Sequence, residues 1–390
     1  MPQSPYRLAL DLSCLAPQPL SGVGYYTHHL FEAFFRTHPD VAAAIFSSAA
    51  QACPAVLRDL RRASGRGVHL RFPTRARLAL WTRLNGPAIH WFTGPADIVH
   101  GCFHALPPSR RAKRIVTVFD LSAQRREGTH RPEDSRLDRQ VLAHAVRGAD
   151  AFIAISASCK ADLVELYGVP PERVFIVHGG VDYSLFATPV DADVRDAALR
   201  KFDLGGAPYW IHLGTLEPRK NLPRLLEAYA AVRAEGGSVP LLVLAGKAGW
   251  MYEPVHAAIE RLGLRTHVRI TGYLERSEAI ALLQAAAGCV YPSLYEGFGL
   301  PVLEAMAAGT PVLTSNVSSL PEVAGDTALL VDPESVDGIA EGLRGLIAIA
   351  QAPGPVCERA RDRARTFTWE SSAQALAAAY EAVLTGAGAP

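Results

Sequence analysis

Along most of this 390-residue chain, short apolar runs alternate with longer amphipathic stretches. That rhythm predicts parallel strands wrapped by helices. In the first half, RLALDL, AAAIFSS, ADIVHG, RIVTVFD, DAFIAIS and RVFIVHG read as buried strands. Ser156 closes one of them and can cap a helix over ASCKADLVELYG, which Gly168 ends. The stretch from Asp182 to Gly206 is polar, with Pro189 and a Gly205-Gly206 pair, and is read as a linker. A second series follows: YWIHLG, LLVLAG, HVRITG, GCVYPS, TPVLTS and ALLVD. The last segment, FTWESSAQALAAAYEAVL, places Trp369, Leu376, Tyr380 and Val383 near helical spacing. The expected organisation is a domain over 1–185, a second over 186–368, and a final helix over 369–390. Open α/β sheets bind ligands outside the carboxyl ends of their strands, so the residues just after each strand are the ones to weigh.

The richest of these positions lie in SLYEGFGLPVLEAMAAGTPVLTS. A strand feeds the loop Glu296-Gly297-Phe298-Gly299 and then a helix, with Pro301 suited to its first turn and Gly309 to its end. The N–H groups of Phe298, Gly299 and Leu300 face the positive end of that helix, a setting for an anion or sugar hydroxyls. Glu296 and Glu304 flank the helix start. Glu304 stands beside small residues, where a buried carboxylate needs a partner such as a ribose. In HLGTLEPRKNLPRLLEAYAAV, a strand ends at Gly214 and Asn221 can cap the next helix. Arg219 and Lys220 sit just before it, where cations are unfavourable unless an anion is bound. A diphosphate would satisfy both; two solvated loop cations are the plainer reading.

Together these strings resemble the retaining GT-B glycosyltransferases of family 4, on the mannosyl- and rhamnosyltransferase-like branch, and the likeness covers nearly the whole chain. The resemblance implies an α/β fold of GT-B type: two Rossmann-like domains facing a central cleft, the C-terminal helix crossing back to the N-terminal domain. It implies transfer of a hexose (mannose, rhamnose or glucose type) from a GDP-, UDP-, ADP- or dTDP-linked donor to a hydroxyl of a glycan or lipid-linked acceptor, as in polysaccharide biosynthesis. Glu296 would contact the donor sugar, and Phe298, Gly299 and Leu300 its sugar and phosphate. Glu304 would hold the ribose, Arg219 and Lys220 the leaving diphosphate, and Gly272 with Tyr273 would sit by the base. AGKAGW, Gly246 to Trp250, resembles the same branch. No metal or other cofactor is implied, and no aspartate-x-aspartate triplet stands in a suitable loop.

On the acceptor side, Gly22 and Gly24 in SGVG resemble the family's first glycine loop, which lies under the donor phosphates; a tight turn reads the same. Many relatives carry a histidine where this chain has Phe119, followed by Asp120. Asp120 can assist, a loop histidine such as His130 can swing in, or the leaving phosphate can itself take the acceptor's proton; the last is favoured, with Asp120 assisting. His100 and His104 are read as structural. The alternatives are a relative with weak or no transfer, a nucleotide-sugar epimerase, and a phosphorylase. A dehydrogenase is disfavoured because GVGYYT lacks the third glycine of the dinucleotide fingerprint.

Composition changes this picture little. The chain is 49% hydrophobic and 20% charged, with net charge +1, as in an ordinary globular protein. Charge is uneven: 22 basic and 15 acidic residues up to Asp182. The densest patch runs from Arg58 to Arg83, with Asp59 its lone acid. It reads as a solvated helical face, or as a surface for anionic lipid or a phosphorylated acceptor. No aromatic interleaving or recognition motif points to nucleic acid. The six cysteines are scattered without a CxxC pair and are expected to be free. No stretch approaches ~20 apolar residues, and no secretory leader is evident. The expected location is the cytoplasm, with peripheral contact at the inner membrane face.

Overall fold

The computed structural model describes residues 5–17, 19–351 and 354–389. The chain forms two compact units. The first comprises Met1–Gln124, Pro132–Gly180 and Thr368–Pro390, and the second comprises Arg125–Arg131 and Val181–Phe367.

The first unit is built on seven strands: β1 (Arg7–Asp11), β2 (Ala42–Ala49), β3 (Gly65–Arg71), β4 (Ile98–Gly101), β5 (Lys113–Val118), β6 (Ala151–Ala154) and β7 (Val174–Ile176). They pair in parallel in the order β3-β2-β1-β4-β5-β6-β7. Leu8 lies between Ala43 and Ile98, so the order reverses at β1 and β4. The central strands are buried on both faces, which is why they read as continuous apolar runs.

β3 has no such run and was not expected. It lies at the sheet edge with β2 as its neighbour, where charged side chains are tolerated and guard against edge pairing. The arginine patch is therefore not one helical face. Arg58, Arg61 and Arg62 lie on helix Ala55–Ser64, Arg66 and Arg71 on β3, and Arg75, Arg77 and Arg83 on helix Thr74–Leu84.

Ser156 caps helix Ala157–Tyr167 by accepting from the Cys159 N–H at 3.0 Å, and Gly168 ends it in the left-handed region. The C-terminal helix, Trp369–Thr385, packs on the first unit. It buries Trp369, Leu376, Tyr380 and Val383, as their spacing suggests. Ser372 donates to the His178 carbonyl at 2.8 Å. A Cβ on Gly180 would stand 2.6 Å from the Trp369 nitrogen, so the crossing depends on that glycine.

The second unit has six parallel strands: β8 (Tyr209–Leu213), β9 (Leu241–Ala245), β10 (Val268–Gly272), β11 (Gly288–Tyr291), β12 (Val312–Ser315) and β13 (Leu329–Val331). Their order is β10-β9-β8-β11-β12-β13, with the reversal between β8 and β11. Trp210, Leu225, Tyr229, Leu242 and Leu343 lie in its core. The polar stretch read as a linker is instead helical. Asp182 and Asp191 cap the helices Tyr183–Ala187 and Ala192–Lys201, which bury Phe186 and Ala198. Two of its aspartates are caps, and caps share their composition with loops. All six cysteines are free thiols. Among the described residues, no helix is long and apolar enough to cross a membrane.

Candidate donor site and family

The strand order reverses between β8 and β11, the point at which open sheets of this kind take their ligands. On one side lie the ends of β8, β9 and β10. The Gly214 N–H donates to the Ala245 carbonyl and the Gly246 N–H to the Gly272 carbonyl, both at 2.9 Å. A Cβ on Gly246 would fall 1.8 Å from the Gly214 carbonyl oxygen, so the two loops touch through bare backbone. Gly214 and Gly272 thus belong to a ledge of bare backbone, open at Gly272 and met by the Lys220 side chain at Gly214, beside which Tyr273 is half exposed.

Above the ledge, a single turn, Pro218–Lys220, presents Arg219 and Lys220. Both are drawn into a buried charge cluster. Arg219 pairs with Glu296 at 2.6 Å and Glu217 at 2.7 Å, and donates to the Tyr295 carbonyl at 2.8 Å. The Lys220 ammonium donates to the other Glu296 oxygen at 2.7 Å and to the Tyr291 hydroxyl. Burial alone would raise the Glu296 carboxyl. Arg219 and Lys220 outweigh it and hold the group down at about 2. Burial pushes Lys220 below its usual value, and Glu296 only partly restores it. The anion that two cations at this place call for is supplied within the chain, by the carboxylates of Glu217 and Glu296. Glu217 and Tyr291 were missed. Glu217 is visible in the string LEPRK, but its partner is decided by the turn.

His212 lies beneath this cluster in β8, stacked on Tyr291 with ring centroids 5.2 Å apart. Its Nδ1 faces the Val290 carbonyl at 3.0 Å, so Nδ1 carries the proton. Burial, aided by Lys220, lowers its pKa to about 4 and keeps it neutral. Asn221 stands at the helix start but does not cap it. Its amide nitrogen donates to the Pro292 and Pro333 carbonyls at 3.1 and 2.6 Å, and its oxygen accepts from Arg224 at 2.9 Å. With both ends of the amide engaged, the residue pins two loops instead.

The glycine loop follows β11. Ser319 donates to the carbonyls of Glu296 and Phe298 at 2.9 and 2.8 Å, and Ser318 accepts from the Glu296 N–H at 3.0 Å. Gly299 adopts φ 109° and precedes helix Leu300–Ala308, with Pro301 in its first turn and Gly309 at its end. The Phe298 ring packs on Phe367 with centroids 5.9 Å apart. Glu304 projects from the second turn and meets Arg276 at 2.9 Å. Burial raises its carboxyl, and Arg276 only offsets part of that. The partner its small-residue surroundings called for is thus an arginine of this chain, with the Glu304 side chain still 14% exposed.

In the first unit, Gly22 and Gly24 form the first turn of helix Gly22–Thr37, capped by Ser21 accepting from the Gly24 N–H at 3.3 Å. Asp120 accepts from the Ser122 N–H and hydroxyl at 3.0 and 2.5 Å. Phe119 is buried, edge-on to Tyr26 at 5.2 Å. Its N–H donates to Nε2 of His104, whose Nδ1 meets Asp138 at 2.6 Å. Burial lowers the His104 pKa, but Asp138 lifts it above the ordinary value. His100 bridges the Tyr380 hydroxyl and Thr117 at 2.7 and 2.8 Å, and burial pushes it down to about 3. Both histidines hold the fold. His130 belongs to the second unit, stacked on Trp250 at 5.6 Å. Among the described residues, His28, His29 and Glu32 are the group with three metal-ligand atoms within 4.8 Å of one another; none belongs to the charge cluster.

Comparison with known proteins matches this description. The family model described as glycosyltransferase family 4 covers residues 20–185, and that of glycosyl transferases group 1 covers 195–367. The O-antigen chain mannosyltransferase B of Escherichia coli is 32% identical over 290 residues, which is 73% of this chain and 74% of the relative. Sucrose-phosphate synthase from Thermosynechococcus elongatus superposes with a TM-score of 0.75 at 20% identity, over 98% of this chain and all of that one. Anabaena HepE, solved with UDP-glucose, gives 0.71 at 16% identity over 97% of this chain and all of that one. By fold the protein is a GT-B enzyme with two parallel-sheet Rossmann-like domains. The chain belongs to glycosyltransferase family 4 and is a glycosyltransferase.

Proposed function

We propose that the protein is a retaining, metal-independent hexosyltransferase using a nucleoside-diphosphate sugar, with mannose as the first sugar to test and a glycan or lipid-linked hydroxyl as acceptor. The observation that carries this reading is the buried cluster of Glu217, Arg219, Lys220 and Glu296 beside the glycine ledge. The name of the Escherichia coli relative supports mannose.

In this reading the diphosphate lies against the N–H groups of Phe298, Gly299 and Leu300 at the helix start, where the dipole favours an anion. The ribose hydroxyls face Glu304, and the base lies by Gly272 and Tyr273. Arg219 and Lys220 are balanced by two carboxylates, so the diphosphate must draw them partly away. Glu296 then turns its freed oxygen to hydroxyls of the sugar. As the anomeric C–O bond breaks, the two cations stabilise charge on the departing phosphate oxygen. That oxygen takes the proton of the acceptor hydroxyl, which enters on the same face, and retention follows. Phe119 is apolar and buried, so a base in its place is not required by this scheme. Asp120, Gly22 and Gly24 in the first unit assist acceptor and phosphate.

The test is a panel of GDP, UDP, ADP and dTDP in thermal-shift and saturation-transfer NMR, followed by product analysis with the matching sugars. One nucleotide should be preferred, and the product should keep the donor's anomeric configuration. Glu304→Gln should weaken that nucleotide about tenfold, the order of a lost charge-assisted contact, without lowering the melting temperature. Binding to no nucleotide overturns the donor site, and an inverted product overturns the mechanism.

Arg62, Arg66, Arg71 and Arg83 of the arginine patch are exposed; Arg83 precedes the exposed Leu84, and Arg66 lines one surface hollow with the exposed Trp91. Cations around an exposed tryptophan and leucine suit an anionic bilayer face. The protein should co-sediment with phosphatidylglycerol vesicles and not with phosphatidylcholine ones; equal recovery with both would remove this contact.

A further inference from the structure

The first unit carries an aromatic group that its hydrophobic core does not use. Its sheet order reverses between β1 and β4, so its own ligand crevice lies at the carboxyl ends of those strands. Two residues past β4 stands Phe103, 43% exposed, between the buried Cys102 and His104. Its backbone is unusually constrained. A Cβ on Gly101 would fall 2.0 Å from the Ala105 carbonyl oxygen, so the turn folds hard back on the strand. His104 adopts φ 25°, in the left-handed region. A conformation of that kind persists only where the surroundings over-determine it. They do so here: Asp138 holds one nitrogen of the His104 ring, and the Phe119 N–H binds the other.

The consequence is a layered aromatic shelf. The Phe103 ring lies parallel to the His104 ring, 4.7 Å away and 3° apart. On its other neighbour, Phe119, the centroid distance is 6.1 Å, and Phe119 in turn packs edge-on to Tyr26. A buried, doubly hydrogen-bonded histidine thus fixes the plane of an exposed phenyl ring. Water is the poorest partner for such a face. The electron-rich ring face suits the C–H groups on one side of a pyranose, which carry slight positive charge. Asp120, after the neighbouring strand β5, offers a carboxylate for hydroxyls at the same edge of the sheet.

We propose that Phe103 is the stacking platform for a pyranose of the acceptor, and that His104 is the positioning residue that orients it. This rests on the glycosyltransferase reading above and adds a chemical class to its acceptor: a sugar that presents an apolar pyranose face, rather than a bare lipid or polyol hydroxyl.

The test uses octyl α-D-mannopyranoside as the probe, in saturation-transfer NMR and titration with the full-length protein. Nucleotide binding is measured in parallel. In the wild type, saturation should fall on the ring C–H protons of the sugar. Phe103→Ala should raise the dissociation constant about five- to tenfold, as loss of one aromatic contact does, with nucleotide affinity and melting temperature unchanged. Phe103→Trp should keep glycoside binding, and His104→Ala should weaken it while Phe103 is still present. Glycoside binding unaltered in Phe103→Ala overturns the proposal. So does an equal loss of nucleotide affinity, which would place the ring at the donor, and so does a wild type that takes no glycoside. Intact nucleotide binding in that last case leaves the donor reading standing, so the two can fail separately.

Discussion

The carboxyl edges of the two sheets both bury charge, but in opposite styles. In the first unit, Asp11 at the end of β1 is paired with Arg77, which also lies over the Trp81 ring at 4.4 Å. The other Asp11 oxygen accepts from Ser13, whose hydroxyl accepts from the Ser48 N–H at 2.9 Å. Carboxylate and guanidinium pin the end of β1 to a helix. In the second unit, two cations share two carboxylates around a ledge on which one glycine, at least, cannot be replaced. A one-to-one buried pair has little to offer a ligand. A shared cluster beside bare backbone can exchange partners, because a cation that leaves one carboxylate oxygen keeps another contact. Buried charge alone is therefore common to both sheet edges, and only the shared cluster has partners to exchange.

The largest loss is expected at the pinned pair. Asp11→Ala leaves the Arg77 guanidinium buried and uncompensated, and should cost about 3–5 kcal/mol of stability. A urea midpoint measures it. Nucleotide affinity of the remaining folded protein should not change; a loss below about 1 kcal/mol, the range of an exposed pair, would mean the pair is no pin.

At the shared cluster the balance should reverse. Lys220→Ala should cut turnover about 10²–10³-fold, the order of one lost transition-state donor, while Arg219 continues to hold Glu296. Initial rates with saturating donor read this. Full activity would remove the phosphate assignment.

The gentlest probe is acid. The Glu296 carboxyl is held at about 2 against an ordinary 4.5, so the unfolded chain binds the extra proton first. Stability from this group is therefore complete above about pH 4.5 and is lost as pH falls toward 2. Glu296→Gln should flatten the melting-temperature profile in that window and leave it unchanged at neutral pH in slope. A profile identical to the wild type would mean the cluster does not hold the carboxylate down.

Much of this architecture was legible in the chain. Runs such as YWIHLG and LLVLAG announce buried parallel strands because both faces of each strand are covered, leaving no polar alternation to confuse the period. β3 was not legible, because an edge strand needs no apolar run. The helices after Asp182 and Asp191 were hidden because capping aspartates look like loop residues until the helix is seen. At the candidate site, Arg219, Lys220, Glu296 and Glu304 stand out by sequence spacing. Their pairing does not: Glu296 lies 76 residues from Lys220, and Arg276 lies 28 from Glu304. Tyr291 and His212 carried no signal beyond a polar atom inside an apolar strand.

What the sequence determined by itself was therefore local: the strand and helix periods, the left-handed glycines at helix ends, and the residues that follow each strand. Those depend on neighbours a few positions away. The tertiary structure alone decided which charges share a carboxylate, which histidine binds the Phe119 backbone, and which phenyl ring is left facing water. Such choices are made between strands adjacent in the sheet and far apart in the chain, where burial sets the strength of every contact and only the fold sets the partner.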